Sequence, residues 1–149
     1  MTLSGFNVNT KPEQAEKWEP VEGIITPVAR AVVEEDHTGL LVNLIFSEMV
    51  AGLQTDLRIS FGRVLAYTVY DDMLHPWTAA RPELRLAEPW AMYFYPLLQI
   101  HNSSWADSVP NLLFFHPKCI HYRLLTLDQI VDVLSNQAPA VSWVKAVES

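Results

Sequence analysis

The feature that most constrains the fold is a two-residue alternation over residues 56–70. Leu57, Ile59, Phe61, Leu65, Tyr67 and Val69 share one parity, while Arg58, Ser60, Thr68 and Tyr70 share the other. A period of two places successive side chains on opposite faces of an extended chain, so this run predicts a half-buried strand and excludes a helix. The six apolar residues are expected to form one core-facing row. Gly62 beside Arg63 marks a bulge or bend within it.

The flanking segments repeat the pattern. Residues 23–34 are rich in Ile, Val and Thr, and Leu40, Val42, Leu44 and Phe46 alternate after a polar break that ends at Gly39. Two β-branched runs around a Gly-ended polar loop predict a hairpin. Residues 92–101 return to strand character around Pro96. Asn102-Ser-Ser104 is suited to cap a short helix over residues 105–109, followed by a loop through Pro117. Ile120, Tyr122 and Leu124 then alternate with His121 and Arg123. The next stretch reads in two ways. Thr126 and Gln129 fit a capping box that opens a helix, and residues 130–134 fit a β-branched strand after a tight turn; the hairpin is preferred. Residues 71–90 carry Pro76, Pro82 and Pro89 and are expected to be irregular, with one helical turn at most over 80–87. Val141–Val144, with Trp143, is expected to tuck against the sheet.

The expected class is α+β and β-rich: a mostly antiparallel sheet, as a sandwich or open barrel, of five to seven strands with one or two short helices. No strand–helix–strand alternation of the kind that builds parallel sheets occurs. Residues 1–22 are polar, contain Pro12 and Pro20, and read as a loosely attached arm that first touches the body at Trp18 and Val21. Residues 23–149 read as one domain, because 149 residues suit a single core and half of them are apolar.

Composition excludes several functions. With 10 Lys+Arg against 17 Asp+Glu the net charge is −7, which argues against the clustered basic face that duplex binding requires. Cys119 is the single cysteine, so an intramolecular disulfide and a multi-cysteine zinc site are both ruled out. No apolar run reaches membrane-spanning length and no leader pattern is seen, so a cytoplasmic protein is expected. The five glycines form no phosphate-binding loop.

Candidate chemistry is sparse. No histidine pair has metal-ligand spacing on a helix. His116, Cys119 and His121 lie close in sequence, but Pro117 interrupts them and a fourth ligand is missing. Neither a metal nor a cofactor is expected. Asp71, Asp72 and His75 form the tightest carboxylate–imidazole group, in which an acid orients a base; no nucleophile accompanies it, and solvated acids at a strand end explain it as well. Lys118 and His121 flank Cys119 and would favour its thiolate, although a thiol entering a core strand is ordinarily inert.

Two features concern surfaces. Glu34, Glu35 and Asp36 cluster at one strand end, and Asp71 and Asp72 at another. If these ends share an edge, they make one negative patch able to attract a basic partner. Trp77, Trp90 and Trp105 fall in or beside irregular segments, where they either pin loops to the core or anchor a partner.

Gln99-Ile-His-Asn-Ser-Ser-Trp105, Ile120-His-Tyr-Arg-Leu-Leu-Thr126 and Ile130-Val-Asp-Val-Leu-Ser135 together resemble small, acidic, β-rich bacterial proteins of unassigned activity. Some of these look like immunity proteins of polymorphic toxin systems. The resemblance covers a minority of the chain and contains no catalytic signature. It implies a bacterial cytoplasmic protein and an immunity role.

The preferred expectation is therefore a non-enzymatic protein-binding module, with Glu34, Glu35, Asp36, Asp71, Asp72 and Trp77 facing a basic protein partner such as a toxin. Nucleic acid and membrane are not expected as partners. The alternatives are a small-ligand binder or hydrolase-type enzyme at the Asp71/Asp72/His75 corner, and a homodimer or other homo-oligomer formed through an exposed sheet edge.

Overall fold

The computed structural model describes residues 13–24, 28–46, 55–71, 95–127 and 129–145. In chain order they form β1 (Gln14–Lys17), β2 (Val28–Asp36), β3 (Gly39–Phe46), β4 (Thr55–Gly62), β5 (Ala66–Asp71), β6 (Leu97–His101), α1 (Ser104–Ser108), α2 (Leu112–Phe115), β7 (Ile120–Leu125), β8 (Gln129–Ser135) and β9 (Ala140–Lys145). Every pairing is antiparallel. One sheet has the order β1-β6-β7-β8-β5 and the other β2-β3-β4-β9. The sheets pack face to face as an open sandwich. Val42, Leu44, Leu57, Ile59 and Phe61 from the four-stranded sheet meet Leu97, Tyr122, Leu124, Val131 and Val133 from the five-stranded one.

Nine strands among the described residues exceed the five to seven expected, for two reasons. The first is the alternating run over 56–70, which is two strands in two sheets. The chain leaves β4 at Gly62, whose φ is +68°, and enters β5 four residues later, so the expected bend is a crossover between layers. Leu57, Ile59 and Phe61 are buried in the core, but the row fades beyond the crossover. Leu65 and Tyr67 are half-buried, and Val69 is 42% exposed because β5 is an edge strand. The second reason is β1. Within the segment expected to be a loose arm, Gln14–Lys17 pairs with β6 and Glu13 is buried. Trp18 and Val21 pack on the core, as expected.

The segment 126–135 is the second half of a hairpin. The Thr126 hydroxyl accepts from the Gln129 amide at 2.9 Å and donates to the Gln129 carbonyl at 3.0 Å. The first of these is the bond a helix cap would make. Here it closes the β7–β8 turn, because Ile130–Leu134 is drawn into the sheet by its β-branched side chains.

Gly39 occupies the point where the β2–β3 turn meets the end of β4. Its φ is +133°, and a Cβ there would overlap the backbone of Gly62. Backbone cannot yield as a flexible side chain can. Gly39→Ala is expected to lower stability by about 3 kcal/mol, combining positive-φ strain with overpacking, as read from a shift in the urea midpoint at constant m.

Asp56 on β4 is almost wholly buried. Loss of solvation raises its carboxyl above the usual range, partly offset by the positive charge of Arg30. Because the folded value exceeds the unfolded one, ionised Asp56 destabilises the native state above that raised value. The cost disappears as pH falls toward 3.8, the ordinary value. Asp56→Asn is therefore expected to raise the melting temperature at pH 7 but not at pH 3.

The five-stranded sheet is buried on both faces. Away from the sandwich core, Leu98, Ile100, Leu125 and Ile130 form a second apolar cluster with Ala15 and Tyr95. This second burial brings polar side chains of β7 and β8 out of water.

Candidate functional site

The two helices connect the end of β6 to the start of β7 and lie at one end of the sandwich. The pairings Ile100↔His121, Ile120↔Ser135 and Ala66↔Leu134 bring the start of β5 and the end of β8 to this same end. β4 also finishes there, with Leu40 opposite Gly62, so the β2–β3 tip bearing Glu34, Glu35 and Asp36 belongs to it too. The Tyr67 hydroxyl on β5 reaches Glu35 at 3.5 Å. Asp71 closes β5 at the opposite end, paired with Gln129. The two acidic groups therefore do not share an edge, and the single patch that would join Asp71 to Glu34–Asp36 does not form. Asp72, His75, Trp77 and Trp90 lie outside the described residues, as does the turn expected over 80–87.

The three acids of the β2–β3 tip are exposed. Hydrogen bonds from the hydroxyl and amide of Thr38 hold the Asp36 carboxyl below the usual range, so it stays ionised at neutral pH. A cavity of about 120 Å³ lined by Glu34, Asp36, Thr38, Leu40 and Ser60 adjoins the tip. That is well under the ~300 Å³ of a small-molecule site, so this tip presents charge rather than a pocket.

At the same end, α2 presents apolar side chains. Asn111 in the left-handed conformation (φ +62°) turns the chain into Leu112–Phe115, none of which is buried. Phe114 is 80% exposed and Phe115 69%, with their rings edge to face at 5.0 Å, and Leu113 beside them is exposed as well. The turn is held by its own backbone, with the His116 amide bonded to the Leu112 carbonyl at 2.8 Å. The sequence predicts only a loop through Pro117 here, and the exposed aromatic pair is a feature of the fold. The available signal was an apolar Leu-Leu-Phe-Phe run too short for a core strand and bounded by Asn111 and Pro117.

Behind α1 a buried polar chain forms. Ser103 caps the helix by accepting from the Ala106 amide at 3.0 Å, and its Oγ lies 2.7 Å from His121 Nδ1. His121 Nε2 is 2.7 Å from Asp132 Oδ1, which also accepts from Arg123 Nε at 2.8 Å. Cross-strand register puts the group together: Arg123 is directly opposite Asp132, and His121 is two residues along on the same face. Trp105 packs edge-on to His121 at 5.3 Å and pins α1 to the sheet, the structural one of the two roles expected for it. Among the described residues, Arg123 Nη2 has no hydrogen-bond partner, nor does Oε2 of Glu13, whose Oε1 accepts from the Ser104 amide at 2.7 Å. The sequence shows His121 and Arg123 only as the polar positions of an alternating strand and Ser103 only within a helix cap; nothing local links them to Asp132.

Cys119 is half-buried just before β7, and burial pushes its thiol up, which disfavours the thiolate a nucleophile needs. His116 turns to Asn136 at 3.2 Å, away from the His121 network. Among the described residues no group of three or more His, Cys, Asp or Glu is placed to hold a metal ion, and no helix is long and apolar enough to cross a membrane. Comparison of the chain with family models, with curated proteins and with solved structures returns no match.

Proposed function

We propose that this protein is a protein-binding module that docks through the end of the sandwich carrying α2 and the β2–β3 tip. The observation that carries this reading is the Phe114–Phe115 pair, two adjacent aromatic rings left in water on a backbone-locked turn. Full burial of such a side chain is worth about 1.5–3 kcal/mol. Aromatic anchors inside a polar rim are the anatomy of an interface hot spot. Glu34, Glu35 and Asp36 supply a charged rim at the same end, and the net charge of −7 favours a basic partner. Neutralisation of a basic bacterial toxin, the role implied by the resemblance to immunity proteins, is the specific form this reading takes. The single thiol fits a reducing cytoplasm.

The test compares affinity capture from the host by wild type and by Phe114→Ala/Phe115→Ala. Both positions are exposed, so the double variant is expected to fold normally. A protein captured by wild type and lost from the variant supports the docking end; equal capture overturns it. Should sedimentation show a dimer that the double variant lacks, the occupant is a second copy of the chain.

A further inference from the structure

We propose that Ser103 is an activated hydroxyl that takes small acyl groups from esters, with His121 as its base. This inference goes beyond the docking reading and does not depend on it.

The hydrogen-bond partners assign the protons. Arg123 is charged at any ordinary pH and pairs with Asp132, so Asp132 acts as a carboxylate, an acceptor only. The hydrogen between His121 and Asp132 therefore belongs to His121 Nε2. Ser103 Oγ already receives the Ala106 amide hydrogen, and its own hydrogen has an acceptor within reach in His121 Nδ1 at 2.7 Å. The chain then runs in one direction, from the Ser103 hydroxyl to the imidazole and from the imidazole to the carboxylate. That is the order in which a base-activated serine works, with the two ring nitrogens exchanged relative to the serine-protease arrangement.

Exposure follows the same order. Ser103 is 8% exposed, His121 2% and Asp132 1%, so the serine is the least buried residue of the three and the aspartate the deepest. Asp132 is a positioning residue: it orients the ring and stabilises the imidazolium, while Arg123 holds the carboxylate in place.

In the step proposed, Ser103 Oγ attacks the ester carbonyl carbon while its proton passes to His121 Nδ1. The bond from that carbon to the alcohol oxygen breaks, and the leaving alkoxide takes the proton from Nδ1. Water, deprotonated by the same nitrogen, then attacks the acyl–Ser103 ester. This releases the carboxylic acid and restores the hydroxyl, so that ester and water become acid and alcohol.

The experiment treats the full chain with methanesulfonyl fluoride, a small reagent that sulfonylates an activated serine with loss of fluoride, and maps the adduct by peptide mass. One adduct is expected, at Ser103, formed about 10²–10⁴-fold faster than on the urea-unfolded chain, the range for a positioned general base. The advantage should be lost in His121→Gln with the fold retained by circular dichroism. Labelling of folded wild type at Ser103 no faster than in urea, or spread evenly over several serines, overturns the proposal; this arm decides the matter even if His121→Gln does not fold. Undiminished Ser103 labelling in a folded His121→Gln overturns the role of the base.

Discussion

Replacing Asp132 by Ala is expected to cost about 3–5 kcal/mol, the range for removing one partner of a buried ion pair. That is a large share of the 5–15 kcal/mol available to a typical domain. The loss does not come from the Asp132–Arg123 attraction as such. Arg123 is 2% exposed and its Nη2 already lacks a partner among the described residues, so removing the carboxylate takes away the acceptor of its Nε and leaves a guanidinium out of water. The Nε2–H of His121 loses its acceptor at the same time. Asp132→Asn keeps an acceptor oxygen without the charge and should fall between Ala and wild type. Urea melts check the order; a loss below about 1 kcal/mol for Asp132→Ala would show that Arg123 is satisfied elsewhere.

Phe61→Ala is expected to cost a similar ~3–5 kcal/mol, by another mechanism. Phe61 sits between the two sheets with its ring edge-on to Tyr122 at 5.4 Å, and it is 2% exposed. Truncation removes apolar contact and opens a cavity where strands from different layers meet, so collapse around it is limited. Val69→Ala is the control, since Val69 shares the parity of Phe61 but lies on an exposed edge strand. Its loss should stay near 0.5 kcal/mol, the scale of surface substitutions. Comparable losses at both positions would contradict the crossover at residues 63–65.

That contrast shows how far the sequence could be read. Alternation identified strand character at residues 57–69 because side-chain parity is local. It was silent about which sheet each half joins, since the same apolar parity resumes at Leu65 after the break at Gly62 and Arg63. The bend at Gly62, the Gly39 turn, the Ser103 cap and the β7–β8 turn were all legible, each resting on a few neighbouring residues. The buried network was not, because reading His121 and Arg123 as a polar face assumes that one face of the strand is wet. Here the far face of the five-stranded sheet is buried as well. A clue was nonetheless present in Ile130-Val-Asp-Val-Leu134, an acid amid a wholly apolar run. Once the hairpin turn is placed between Thr126 and Gln129, Arg123 falls opposite Asp132. The docking end was harder to see. It is assembled from α2 and the β2–β3 tip, which are far apart in sequence, and the acids at Asp71 that resembled its second half close the opposite end of β5.

The central proposal is that the protein recognises its partner through one end of the sandwich. The most direct measurement is the affinity of a captured partner for wild type, Phe114→Ala/Phe115→Ala, Glu34→Lys/Glu35→Lys and Asp71→Lys at two ionic strengths. The aromatic variant should bind about 1000-fold more weakly, because two hot-spot side chains of about 2 kcal/mol each are removed. The Glu34/Glu35 reversal should slow association and flatten its salt dependence, and Asp71→Lys should bind as wild type does. Unchanged affinity on loss of both phenylalanines, or a larger effect at Asp71 than at Glu34 and Glu35, would contradict the account.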